Sequence, residues 1–200
     1  MPSNNYFNLV LKDNRLTAVA EFSVGDGNSY IPKAFLDTGC KTSLIPARYL
    51  YGTYLDYKNE AIKTFMREEK KKAIEAGYPT SHVVGIGMSL RSQTNKLSFE
   101  DIMEDKSVVF CRRVSNFTLN GCKIPDSDLW FSYDIQGTVL LGFDVLSKLH
   151  HYMGVGKSGD FHLIASTSIN DDYLRAIDKE FGLATTFGAY SYREFIRSIR

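Results

Sequence analysis

Cysteine is scarce. The 200 residues hold three, Cys40, Cys111 and Cys122, an odd number at wide spacing with no Cys-x-x-Cys pair. That excludes a disulfide framework and places the expectation in a reducing cytoplasm. The four histidines, His82, His150, His151 and His162, form neither a His-Glu-x-x-His nor a His-x-Cys pattern, so no zinc site or other metal is expected. An excess of charge is missing too. Lys plus Arg number 24 against 23 Asp plus Glu, a formal charge of +1, which gives no pull toward nucleic acid or an anionic membrane. No apolar run approaches the ~20 residues of a membrane-spanning helix. The first residues, MPSNNYFNLVLKDNRL, lack the basic region and apolar core of a signal peptide. Gly85-Ile86-Gly87 lacks the third glycine and the lysine of a phosphate loop, so no nucleotide cofactor is expected. There is no repeat, low-complexity tract or flexible linker.

Short β-type runs separated by turn residues make up most of the chain. Residues 6–12 and 16–24 flank Asp13-Asn14 as a hairpin, and Gly25-Asp26-Gly27-Asn28 is a second turn. Tyr30 to Leu36 is a third strand, Ser43 to Ile45 a short one, and Pro46 opens a short helix to Leu50. Over 59–76, Ile62, Phe65, Met66, Ala73 and Ile74 fall at helical spacing, with Gly77 and Pro79 beyond as stops. The charge run Arg67 to Lys72 within it is expected to be a solvated face. Strands follow at 82–90, 107–112, 114–119, 122–124, 129–133, 138–141 and 161–165, with an Asn120-Gly121 hairpin turn and a short helix at 143–149. His150-His151 reads as a loop or helix end. Tyr173, Ile177, Phe181 and Leu183 suggest a helix, and 191–199 a second one. Tyr190, Tyr192 and Phe195 are expected to dock that tail. Trp130, Phe131 and Tyr133 alternate as on a strand, which suits core packing or a pocket wall. Many short strands with turn signals predict a mostly β, closed or sandwich-like domain with one inserted helix and a helical tail.

The segment that carries chemistry is Phe35-Leu36-Asp37-Thr38-Gly39-Cys40-Lys41-Thr42-Ser43-Leu44-Ile45-Pro46. An ionisable Asp directly follows an apolar strand, where a carboxylate is rarely buried without a partner. Gly39 permits the tight turn that aims it, and Thr38 offers a hydroxyl to hold the turn. Taken alone, Asp-Thr-Gly is also a common turn in which Asp caps its own backbone. Cys40 beside Lys41 has the setting of a reactive thiol, while a free Cys is more often a small buried hydrophobe.

Apolar-apolar-Asp-Thr-Gly-x-x-x-Ser-apolar-apolar resembles the signature of the retropepsin-like aspartic peptidases, the single-lobe retroviral type with bacterial and phage relatives. Val83, Val84, Gly85, Ile86 and Gly87 resemble its glycine-rich flap. Val139, Leu140, Leu141 and Gly142 resemble its second apolar-apolar-Gly element, which passes close to the catalytic loop, and Asp144-Val145-Leu146 the start of the helix after it. The resemblance spans about residues 5–165. It implies a mostly β, single-lobe acid-protease barrel over 1–165, with an inserted helix at about 59–76, and a helical extension over 166–200 packed on the same domain. Four features depart from the retroviral pattern: Cys40 in place of Ala, Phe143 in place of a dimer-supporting Arg, the inserted helix, and the helical tail.

With one Asp-Thr-Gly and no Asp-Ser-Gly, the resemblance implies a single catalytic carboxylate per chain. The resemblance therefore implies a homodimer in which Asp37 meets its own copy and hydrolyses a peptide or protein substrate through an activated water, with no metal or other cofactor. The alternative is the same fold used as a dimerising or peptide-binding module with weak or no catalysis.

Overall fold

The computed structural model describes residues 6–50, 60–84, 89–91, 108–132 and 139–182. The chain is mostly β, and its core is a closed ring of strands. β2 (Leu16–Val24) pairs with β3 (Gly27–Leu36), β3 with β10 (Val139–Leu141), and β10 with β4 (Leu44–Pro46). The ring continues from β4 to β9 (Ser127–Ser132), from β9 to β7 (Val108–Leu119), and back to β2. Closure leaves none of these six strands an open edge. The period-2 pattern of β2 places Leu16, Ala18, Ala20, Phe22 and Val24 inside, as alternation demands. Phe22 meets Phe117 and Phe131 edge-on, at 6.2 Å between ring centroids in each case, and Phe110 stacks on Phe131 at 5.9 Å. Phe131 is thus core, and Trp130 beside it is half-buried.

Turn chemistry matches the sequence. Asn120 and Gly121 both have positive φ (47° and 78°), the two-residue hairpin turn that Asn-Gly favours, and it joins β7 to β8 (Cys122–Lys123). Runs 107–112 and 114–119 form one strand, not two. Asn116 at φ 50° marks an irregularity within it, near where the pairing with β2 shifts register.

The expected hairpin of residues 6–12 with 16–24 is corrected. Asp13 and Asn14 do make a tight positive-φ turn, but it closes only the bridge between Lys12 and Arg15. β1 (Tyr6–Val10) pairs along its whole length with β12 (Phe161–Ser166) instead. β12 also pairs with β11 (His150–Val155), so His150-His151 opens a strand rather than a loop. The result is a three-stranded sheet beside the barrel. Its other face takes α3 (Asp171–Phe181) through Tyr173, Ile177 and Ile164. Asn170 caps α3 by accepting from Tyr173 N at 2.9 Å, and Gly182 ends it at φ 69°. The predicted helix at 191–199, with Leu183, Tyr190, Tyr192 and Phe195, lies outside the described residues.

The inserted helix α1 (Glu60–Glu75) corrects a second expectation. Its inner stripe is Met66, Glu69, Lys70 and Ala73, all buried, so the charge run is not wholly solvated. Glu69 is fully buried between Lys72 Nζ at 2.7 Å and Arg112 Nη2 of β7 at 3.2 Å. A buried carboxylate needs such partners, and here they tie the insertion to the barrel wall. Among the described residues no helix is long and apolar enough to cross a membrane.

Candidate functional site

The site begins where β3 ends. β3 and β10 run parallel, with Leu36 opposite Leu141, so β3 stops beside the strand that ends in Gly142. Asp37 N donates to Leu141 O at 3.0 Å and carries the pairing one residue further. The chain then turns: Gly39 N donates to Asp37 Oδ1 at 2.9 Å, and Cys40 N donates to Asp37 O at 3.2 Å. The turn is the Asx type, held by Asp37 itself. Thr38 is exposed, and its hydroxyl makes no hydrogen bond among the described residues, so it does not hold the turn as expected.

The loop then crosses the end of β10 and returns as β4 on that strand's other side. Gly142 makes the crossing geometrically feasible. A Cβ there would sit 2.6 Å from Cys40 O, 2.8 Å from Thr42 C and 3.0 Å from Thr42 O, all backbone atoms. No side chain fits in that space. Phe143 N donates to Cys40 O at 2.7 Å, and Asp144 N to Lys41 O at 3.2 Å. Leu141 and Gly142 thus lie directly against the Asp37 loop, while Leu140 pairs with Leu44 of β4.

Sequence reasoning missed a lock beneath this loop. Ser43 is fully buried. Its N–H donates to both Oδ atoms of Asp144 at 2.9 Å, and its hydroxyl donates to Asp144 Oδ1 at 2.6 Å. The same hydroxyl accepts from Gly142 N at 2.9 Å. Asp144 Oδ1 also accepts from Val145 N at 3.0 Å, at the start of α2 (Phe143–Leu146). A charged acceptor taking several donors makes bonds about twice as strong as neutral ones. Its signal in the sequence is an acidic residue two positions after Gly142, at the start of the short helix.

The Asp37 carboxylate is exposed and lies on a groove of about 410 Å³. Leu11, Leu16, Leu36 and Leu140 form its apolar side, and Asn14, Arg15, Phe35 and Asp37 the remainder. Phe143 is 52% exposed, unusual for so large an apolar side chain, and its backbone is bonded to the loop that carries Asp37. Cys40 is half-buried. Its thiol is pushed up by burial first, then by the Asp37 and Asp144 charges, despite a hydrogen bond from the Thr42 backbone that favours ionisation. An activated nucleophile needs the opposite shift, which argues against a thiolate at Cys40.

β5 (Thr80–Val84) and β6 (Ser89–Arg91) pair antiparallel, Val84 opposite Ser89, and β5 is anchored on β7. Gly85, Ile86 and Gly87, named above as a flap, lie outside the described residues. So does Tyr133. Among the described residues, no group of three or more His, Cys, Asp or Glu side chains is placed to hold a metal ion.

No family model and no curated protein matches the chain. Among solved structures it is similar to a retropepsin-like aspartic protease from Rickettsia conorii, at 11% identity and a TM-score of 0.36, over 80% of this chain and 92% of that one. Likeness at that level bears no functional weight.

Proposed function

We propose that the chain is an aspartic endopeptidase of the retropepsin-like type, active as a homodimer in which Asp37 and its copy form the catalytic pair. The observation that carries this reading is the platform under Asp37. The Asp-Thr-Gly turn is held across the end of an inserted strand by Gly142, Ser43 and Asp144, yet presents its carboxylate to an apolar groove. A solvent turn with a self-capping Asp needs no such support. Phe143, unburied beside the same loop, suits a surface that a second copy covers.

Two carboxylates brought within hydrogen-bond reach share one proton, and the titration belongs to the pair. The ionised member takes a proton from a water, and the water oxygen bonds to the peptide carbonyl carbon. The protonated member gives its proton to the carbonyl oxygen. Breakdown cleaves the C–N bond: the departing nitrogen receives a proton from the pair, and one hydroxyl of the tetrahedral intermediate returns its proton to the pair as the carboxyl group forms, so the pair again holds one proton. Substrate binds extended, through main-chain hydrogen bonds, with side chains seated in grooves such as the one beside Asp37. The resemblance of residues 83–87 to a flap assigns the cover over bound substrate to that stretch.

A peptide-library cleavage assay on the wild-type chain and Asp37→Asn tests this. The Asn variant keeps the Gly39 hydrogen bond through its amide oxygen, so the fold persists, and cleavage drops by at least ~10²–10⁴-fold, the span of a lost acid–base group. Undiminished cleavage by the variant refutes the reading.

A further inference from the structure

The groove beside Asp37 is apolar on one side and cationic at its rim. Arg15 is exposed there, its guanidinium carbon 4.9 Å from the centroid of the Phe35 ring, and Lys33 Nζ lies 5.7 Å from the same centroid. Arg15 lines the groove and Lys33 lies over the same Phe35 ring, so an anion at this rim would meet positive charge. None is supplied from within: among the described residues neither Arg15 nor Lys33 forms an ion pair. The neighbouring acids, Asp13 at the tip of the turn and Asp37 on the groove, do not pair with them. The leucine side accepts methylene groups, while the guanidinium fork fits a carboxylate.

We propose that this groove selects a glutamate side chain of the substrate near the bond to be cut, its methylenes against Leu11, Leu16 and Leu140 and its carboxylate on Arg15. The inference rests on the peptidase reading for its substrate class and goes beyond it in naming the side chain. Glutamine has the same shape without the charge, so the Glu-to-Gln ratio isolates the cation's part. Lysine carries the charge that Arg15 and Lys33 repel.

The test uses peptides that place Glu, Gln or Lys at each position around the cleaved bond, with the wild-type chain, Arg15→Gln and Arg15→Glu. At one position wild type favours Glu over Gln in kcat/KM by about three- to tenfold, the yield of a partly exposed charge-assisted bond. Arg15→Gln loses the preference, and Arg15→Glu moves it toward Lys. The wild-type ratio shrinks as salt approaches about 1 M, because a rim charge is screened. Fluorescence anisotropy with the Asp37→Asn chain reads the same ratio in Kd without turnover, and thermal melts verify that each Arg15 variant is folded. Equal Glu and Gln values at every position, in cleavage and in binding, overturn the glutamate selection and leave the peptidase reading standing. Binding that prefers Glu with no cleavage by wild type overturns the peptidase reading and leaves the selection standing.

Discussion

Gly142→Ala adds one carbon at the point where the loop bearing Asp37 crosses β10. The added carbon would meet Cys40 O at 2.6 Å and Thr42 C at 2.8 Å. To restore an ordinary 3.4 Å contact, the Cys40 carbonyl must retreat by about 0.8 Å. Both neighbours are backbone, pinned by Phe143 N and Asp144 N, so neither yields as a flexible side-chain end would. Overpacking of this kind costs about 1–3 kcal/mol. For a chain of this size, a loss near 2 kcal/mol lowers Tm by about 4–8 °C. On the proposed peptidase reading, a shift approaching 1 Å in the Asp37 loop costs activity on the order of 10²-fold, far more than the stability loss alone. The control is Gly154→Ala, where the new carbon finds Phe181 at an ordinary 3.4 Å. Thermal melts followed by circular dichroism, together with kcat/KM on a cleaved peptide, measure both effects. A Gly142→Ala chain that melts and turns over like the Gly154→Ala control refutes the crossing.

Asp144→Ala strands the buried N–H and hydroxyl of Ser43 and is expected to cost about 2–4 kcal/mol, read as a lower urea midpoint at unchanged slope. Asp144→Asn keeps an acceptor oxygen in place and costs less; equal midpoints for the Ala variant and wild type would remove the lock. Burial pushes the Cys111 thiol up to about 12, with the Asp128 and Asp144 charges adding to it. The folded state therefore holds that proton more tightly than the unfolded chain, whose thiol titrates near 9.0. This contribution is fully present below pH 9.0 and is lost as pH rises toward about 12. Wild type should thus lose more stability than Cys111→Ala over that window, and parallel losses would contradict the assignment. Cys40, raised in the same direction, is expected to react with iodoacetamide at about pH 7.5, below the ordinary thiol value, more slowly than a free thiol.

What the sequence revealed and what it hid follow from the range of the interactions. The Asp37 loop was legible because apolar strand, Asp and Gly are contiguous, and Gly142 because three apolar residues precede it. A closed or sandwich-like β domain was legible from short strands and turns such as Asn120-Gly121, and the barrel only from the family resemblance. The partner of β1 was not: Tyr6 pairs with Ser166, a contact that no local period encodes, while Asp13-Asn14 imitates a full hairpin. β11 was missed because its side chains alternate between exposed and half-buried, with two histidines and a glycine, so no apolar alternation shows. Glu69 and Lys70 were hidden by their charge, although Met66, Glu69, Lys70 and Ala73 stand at the i, i+3, i+4, i+7 spacing of a buried stripe. Asp144 escaped because its partner, Ser43, lies 101 residues away.

The central claim is that one carboxylate from each of two copies makes the active site. Mixing wild type with Asp37→Asn at fixed total concentration, after subunits have exchanged, tests it directly. If two Asp37 side chains are needed, activity follows the square of the wild-type fraction and an equal mixture retains roughly a quarter. A linear decline, with half the activity at the midpoint, would mean that each chain works alone.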